Sequence, residues 1–558
     1  MCVLQKVQQA SCPAGSGVQC QEIRASPLIE AQKGAVAAEN PLCSQIGVDV
    51  LVDGGSAVDA AIASVLCIGT INSFSSGIGG GGFMLVRDTN GTGLVIDFRE
   101  TAPAAATHDM FVSRPGASRV GGLAVAVPGE LRGLEAAHRR FGKLSWKRLF
   151  EPSIRLNRYG FQITSLLADH LKKLEPVIMG VPGLREIFAP RGQLLQQGET
   201  CYRTALANTL ELVADKGASA FYTGQIAREI AQAVRARGGI MTTADLAAYR
   251  PNVYPPLVGS YRGKRVLTPN APTSGPVFHE ILNILEGYSL DSLPWDAQRQ
   301  HWIVESFKHG FAARSELGDP AFVAVAEQVQ RMMDKEAASA LRRNISDGRT
   351  FDPMYYNPQF ANNEPHGTTH VIALDHGGQA VSMMSTVNLY FGSQVVSAST
   401  GVILNNEMDD FSTPGTSNAF GLPASPNNFI APGKRPLSSS VPVIVDVDGQ
   451  FEFAAGASGG SRIITSVLQT LVNSLDYQLQ LDLAVDAPRM HHQLSPNVLG
   501  LEATYNRTVA EQLASRGHVL AWSPREVSQS AVQAIRRLPD GRIHAVSDGR
   551  KHGRAAGY

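Results

Sequence analysis

The pattern of apolar and polar positions changes character along the chain. Residues 1–40 carry no sustained period and read as loosely structured. From Gly47 onward, Ser56 is placed to cap a helix over 57–67 whose apolar residues lie on nearly all faces, so that helix is expected to be buried. Strand-like runs follow at 83–86 and 94–98, and the second leads into Arg99-Glu100-Thr101-Ala102-Pro103, which puts Arg99 at a strand end. Between Glu130 and Tyr356 a helical period dominates, with helices expected at 210–216, 226–237, 277–286 and 328–343. After Pro365 the period falls to two. Residues 368–374 and 379–388 alternate around Asp375-His-Gly-Gly378 as the arms of a hairpin do. Residues 451–455 read as a strand, 463–475 as a helix, and 532–537 with 543–546 as a closing hairpin around Pro539-Asp540-Gly541.

At 558 residues the chain exceeds what one core usually serves, so two lobes or one large layered sandwich are the available architectures. Its 49 basic and 49 acidic residues cancel, which argues against nucleic acid or an anionic membrane as the main partner and for a small molecule. No apolar run reaches the length of a membrane span, and residues 1–17 lack an apolar signal core, so the sequence reads as a soluble protein. The cysteines (Cys2, Cys12, Cys20, Cys43, Cys67, Cys201) form no Cys-x-x-Cys pair. No histidines stand at finger spacing, so no metal is expected and no compartment follows. The sequons at Asn90, Asn344 and Asn506 occur at the frequency chance allows and decide nothing.

Three motifs compete for the chemistry. Gly77-x-Gly79-x-x-Gly82 has dinucleotide-loop spacing, but it follows a helix and leads into a strand, the reverse of the order such a loop needs; a glycine run packed closely on a core is the better reading. Gly456-Ala-Ser458-Gly-Gly460 fits a nucleophile elbow between a strand and a helix, with Asp486 and His491 or His492 available as acid and base. The same turn also opens a helix, whose first N–H groups suit an oxyanion hole. Thr368 begins the first strand after the change of period and follows Gly367, which tolerates a strained peptide. Attack of its hydroxyl on the Gly367 carbonyl, an N-to-O acyl shift and hydrolysis would free an α-amine beside that hydroxyl, a local base for a weak nucleophile. Downstream, Thr386-Val-Asn388, Asn405-Asn-Glu407-Met-Asp-Asp410 and Pro436-Leu-Ser438-Ser439 supply hydroxyls, an amide and carboxylates. Glu407 and Asp410 could hold an ammonium, and Arg99, Ser438 and Ser439 a carboxylate, so the set suits an amino-acid zwitterion.

At these residues the chain resembles the γ-glutamyltransferases, also called γ-glutamyltranspeptidases or glutathione hydrolases, of the N-terminal nucleophile hydrolases. The likeness runs from about Gly47 to Tyr558. It rests on Phe98-Arg-Glu-Thr-Ala-Pro103, Thr368-Thr-His370, Asn388-Leu-Tyr-Phe-Gly392, Leu404-Asn-Asn-Glu-Met-Asp-Asp-Phe411, Arg435-Pro-Leu-Ser-Ser439 and Gly459-Gly-Ser-Arg-Ile-Ile464, in order.

The resemblance implies an α/β (α+β) four-layer αββα sandwich with a large, mostly helical N-terminal portion. It implies a poorly defined segment 1–46, a large subunit 47–367, and a small catalytic subunit 368–558 released by cleavage between Gly367 and Thr368. Thr368 would be nucleophile and base, Thr386 would orient it, and the N–H groups of Gly459 and Gly460 would hold the oxyanion. Arg99, Ser438 and Ser439 would bind the α-carboxylate, and Asn388, Glu407 and Asp410 the α-ammonium, of a γ-glutamyl donor such as glutathione. The γ-glutamyl ester would pass to water or to an amino-acid or peptide acceptor, without cofactor or metal. Residues 412–434 correspond to the family's variable lid, and the ending from Asp548 reads as peripheral to the chemistry. Such proteins are usually secreted, vacuolar, periplasmic or anchored, and neither signal nor anchor is visible before Gly47. Two alternatives stay open: a related N-terminal-threonine amidase taking another acyl group, and a non-processing binding or scaffold relative.

Overall fold

Along the strand Thr369–Leu374 every residue is buried, and its period of two divides the side chains between two different cores. Val371 and Ala373 pack with the helical layer beneath, whereas Ile372 and Leu374 face a second sheet. A computed structural model of the protein describes residues 25–114, 116–290, 296–361, 367–419, 421–523 and 530–558. Among them, two seven-stranded sheets lie face to face. One orders the strands Ala556–Gly557, Ala35–Ala38, Thr369–Leu374, Ala380–Thr386, Gly81–Arg87, Gly93–Asp97 and Asn252–Tyr254. The other orders Ile29–Ala31, Ile543–Ser547, Ala531–Arg537, Gln450–Ser458, Val443–Val447, Lys264–Thr268 and Leu257–Tyr261.

The gap between the sheets is lined by Ala35, Ala37, Ala380, Ala454 and Ala545 together with Leu85, Ile372, Ile444 and Ile535, and these small side chains let the sheets approach closely. The outer faces are covered by helices: Pro41–Val52 and Ala57–Ile71 on the first sheet, Gly275–Leu285, Ala297–Arg314 and Arg462–Leu475 on the second. This is the expected αββα sandwich. The buried helix Ala57–Ile71 starts in a capping box of Ser56 and Asp59, and Asp59 also accepts from the N–H groups of Lys143 and Leu144. A disulfide joins Cys43 to Cys67 across the first two helices, while Cys201 is free and buried. No helix among the described residues is long and apolar enough to cross a membrane.

The closing hairpin, the Thr368 hairpin and the helix after the glycine turn stand where the period put them. The start departs from expectation: Ile29–Ala31 and Ala35–Ala38 are strands, too short for a period to register. Three strands between Asn252 and Thr268 interrupt the helical half and extend both sheets. The helix expected over 328–343 is two, Ala326–Met333 and Lys335–Arg343, because Asp334 leaves the helical conformation to cap the second.

Candidate active site

The hairpin register pairs Thr369 with Ser385, which makes Thr368 and Thr386 the next opposed positions. With the chain continuous through residue 367, the hydroxyls of both threonines donate to the Gly367 carbonyl, at 2.7 Å from Thr368 and 2.6 Å from Thr386. The N–H of Asn388 donates to the Thr386 oxygen at 2.8 Å, so the Thr386 proton is directed at that carbonyl. Gly367 has φ +94°, and a Cβ there would lie 2.1 Å from the Asn388 carbonyl oxygen. Only glycine fits. The run from Gly77 has the close-packing role expected of it: a Cβ on Gly80 would come within 1.9 Å of the Thr386 carbonyl oxygen, and one on Gly82 within 2.0 Å of the Met384 oxygen. These glycines seat the strand that carries Thr386.

Gly459 and Gly460 follow the strand Gln450–Ser458 with φ of +125° and +61° and open the helix Arg462–Leu475. The turn is tied to Thr368 by a residue that the sequence reading set aside. Lys551 Nζ donates to the Thr368 carbonyl at 3.0 Å, to Ser458 Oγ at 2.6 Å and to Glu39 Oε1 at 3.1 Å. Ser458 in turn donates to Glu39 at 2.6 Å. The C-terminal segment therefore reaches Thr368; the string Asp548-Gly-Arg-Lys551 was visible, but its period gave no reason to bring it there. Asp548 holds this turn by accepting from Arg489 at 2.6 Å and from the N–H of Val532 at 2.9 Å.

The acid and histidines that the sequence offers Ser458 are engaged elsewhere. Asp486 accepts from Ser26, His491 is engaged with Thr465 and Gln493, and His492 accepts from the N–H of Leu494. Burial lowers His491 to about 3 and holds His492 well below the ordinary imidazole range, so neither is poised as a base near neutrality.

The charged pocket gathers Arg99, Glu407 and Asp410 as the sequence reading expected, but in contact with one another. Arg99 Nη1 pairs with Glu407, and Nη2 with Asp410 at 2.5 Å and the Leu437 carbonyl at 3.3 Å. Burial works against the Arg99 charge, and Glu407 and Asp410 outweigh it, so the guanidinium is held above its ordinary value. Burial lifts Glu407 well above the carboxylate range and Glu100 to about 8, with Arg99 opposing both. Asn388 donates from its amide to the Asn406 carbonyl at 3.1 Å, on the loop bearing Glu407. Ser438 and Ser439 are buried beside the Leu437 carbonyl that Arg99 holds. Among the described residues one group has metal-ligand character, His301, Glu305 and His518, with donor atoms within 4.8 Å of one another. Its nitrogens are already joined, His301 Nδ1 to His518 Nε2 at 2.8 Å, and Lys308 stands 3.9 Å from Glu305.

The model of the family described as gamma-glutamyltranspeptidase matches residues 43–558. The chain belongs to the gamma-glutamyltranspeptidase family. Its chemistry is γ-glutamyl transfer and hydrolysis. Glutathione hydrolase proenzyme 1 of Schizosaccharomyces pombe is 44% identical over 538 residues, covering 95% of this chain and 85% of that protein. Glutathione hydrolase proenzyme of Escherichia coli is 38% identical over 533 residues, covering 94% and 91%. Among solved structures, cephalosporin acylase from Bacillus halodurans superposes with a TM-score of 0.84 at 25% identity, over 98% of this chain and 99% of that one. The gamma-glutamyltranspeptidase of Helicobacter pylori superposes with a TM-score of 0.55 at 31% identity, over 60% of this chain and 95% of that one.

Proposed function

We propose that this member of the family is a self-processing glutathione hydrolase and γ-glutamyltransferase whose nucleophile is Thr368. The observation that carries the reading is the Gly367 carbonyl, held by two threonine hydroxyls at a position only glycine can occupy. Thr368 Oγ1 attacks the Gly367 carbonyl carbon, and Thr386 stabilises the charge that develops on its oxygen. The C–N bond breaks as the proton passes to the Thr368 nitrogen. Water then hydrolyses the resulting ester and leaves the subunits 47–367 and 368–558, with residues 1–46 preceding them.

The freed α-amine of Thr368 then serves as base for its own hydroxyl. The γ-glutamyl donor enters with its α-carboxylate toward Arg99, Ser438 and Ser439 and its α-ammonium toward Glu407, Asp410 and Asn388, displacing part of the Arg99 ion pairing. Thr368 attacks the γ-amide, the N–H groups of Gly459 and Gly460 receive the oxyanion, and the amine product leaves. Water or an acceptor amino acid or peptide resolves the γ-glutamyl ester. An N-terminal-threonine amidase for another acyl group would have no use for a cation and two acids at the acyl pocket.

Intact-mass analysis of the purified protein beside Thr368→Ala tests this. Two fragments divided between Gly367 and Thr368 in the wild type alone, with turnover of a γ-glutamyl anilide, are expected. An uncut wild type inert toward that anilide would favour the scaffold reading, and cleavage with turnover only of other acyl anilides the amidase.

A further inference from the structure

Ser438 and Ser439 are short side chains on a loop, and a loop hydroxyl binds a carboxylate well only if its proton is aimed. The structure supplies the aiming from the other side of the cleavage point. Arg314, the last residue of the helix Ala297–Arg314, is fully buried. Its Nη2 donates to Ser439 Oγ at 3.0 Å and its Nε to Ser274 Oγ at 3.1 Å. The Ser274 hydroxyl donates onward to the Ser438 carbonyl at 2.8 Å, and its N–H to the Ser440 carbonyl at 3.1 Å. Pro272 closes the clamp by accepting from the N–H of Ser438 at 2.7 Å. Three consecutive serines are thus gripped by one short segment and one arginine.

We infer that Arg314 is a positioning and specificity residue for the donor's α-carboxylate, acting through Ser439; this rests on the γ-glutamyl reading proposed above. An N–H donated to Ser439 Oγ occupies one of its lone pairs and leaves its proton as the group it can offer, so the hydroxyl presents itself as a donor. Arg314 also adds a second guanidinium to the cluster, and Asp410 acts electrostatically on it as well as on Arg99. Burial pulls the Arg314 guanidinium down to about 10, which leaves it charged at neutral pH.

The test uses the processed enzyme with two donors, a γ-glutamyl anilide and its α-methyl ester, which differ only in the α-carboxylate charge. For Arg314→Met the free-acid donor should show KM raised roughly 100-fold with kcat within about threefold, as loss of a charge-assisted contact predicts. The ester, already poor with wild type, should change by less than about threefold. Arg314→Lys keeps the charge without the fork and should fall between, at roughly tenfold. Should Arg314→Met fail to fold or to process, Ser274→Ala removes the Nε acceptor and should give the same donor-selective rise in KM, about tenfold. Equal losses on both donors, or a loss in kcat alone, would overturn the inference while leaving the γ-glutamyl assignment intact. A wild type inert toward the free-acid anilide would sink that assignment itself, and with it the role of Arg314.

Discussion

Thr386 donates its hydroxyl to the Gly367 carbonyl at 2.6 Å, and Asn388 fixes that hydroxyl from behind at 2.8 Å. In the intact chain, then, the residue expected to orient the nucleophile is bound to the carbonyl that the nucleophile must attack. Under the proposed processing the two tasks would be sequential: cutting of the 367–368 bond and withdrawal of residue 367 would release the Thr386 hydroxyl to Thr368.

Thr386→Ala should therefore slow processing before it affects turnover. Loss of one donor to a developing oxyanion costs on the order of 10²–10³ in rate. A time course of fragment appearance on denaturing gels should show that delay for Thr386→Ala and near-normal cutting for Thr386→Ser. Cleavage of Thr386→Ala at the wild-type rate would remove Thr386 from the processing step.

Gly367→Ala adds a methyl group where φ is +94° and the Asn388 oxygen would lie 2.1 Å away. The backbone must move, at roughly 1–3 kcal/mol for the strained conformation alone, and the carbonyl leaves both hydroxyls. The expected result is a folded precursor that stays uncut, read by intact mass beside a thermal melt within a few degrees of wild type. Normal cleavage would show that the carbonyl's position is not needed.

The hairpin carrying Thr368 was legible because its alternation is bounded by Asp375-His-Gly-Gly378, and the helix after Gly460 because a glycine turn precedes an apolar period. Arg99, Glu407 and Asp410 were legible as chemistry, since a cation and two acids beside paired serines suit a zwitterion; that they pair with one another was not, because spacing carries no information about contacts across 311 residues of chain. Lys551 and Arg314 were missed for a related reason. Each sits in a segment whose local pattern carries no chemical signal, and only the closure of both sheets brings the C-terminal turn to Thr368 and the end of the helix Ala297–Arg314 to Ser439. Short strands such as Ala35–Ala38 escaped because four apolar residues define no period.

Glu130 gives a pH-dependent test of the layer beneath the site. It is fully buried, accepts from Ser385, and burial lifts it from 4.5 to about 7 against that hydrogen bond. The folded protein thus keeps a proton that the unfolded chain has lost, and stability declines as pH rises from about 4.5 to about 7, by an amount on the order of 3 kcal/mol. Glu130→Gln, neutral throughout, should flatten that part of the curve in denaturant melts taken at steps of pH. An unchanged slope would mean that Glu130 ionises in the fold without cost.

Lys551 separates the two nucleophile hypotheses and tests the role of the C-terminal turn in one set of variants. Its ammonium joins Glu39, Ser458 and the Thr368 carbonyl, and Glu39 is fully buried. Removing the cation leaves that carboxylate without its ion pair, at about 3–5 kcal/mol, and releases the main chain of the nucleophile. Lys551→Ala should lower both the melting temperature and kcat, with Lys551→Met, which keeps the stem but not the charge, doing the same. Ser458→Ala removes one partner of the network and leaves the ammonium between Glu39 and Thr368, so it should retain most activity, whereas a serine nucleophile at 458 would lose all of it. If Lys551→Ala melts lower but turns over normally, the C-terminal turn supports the fold alone and the link to Thr368 carries no catalytic weight.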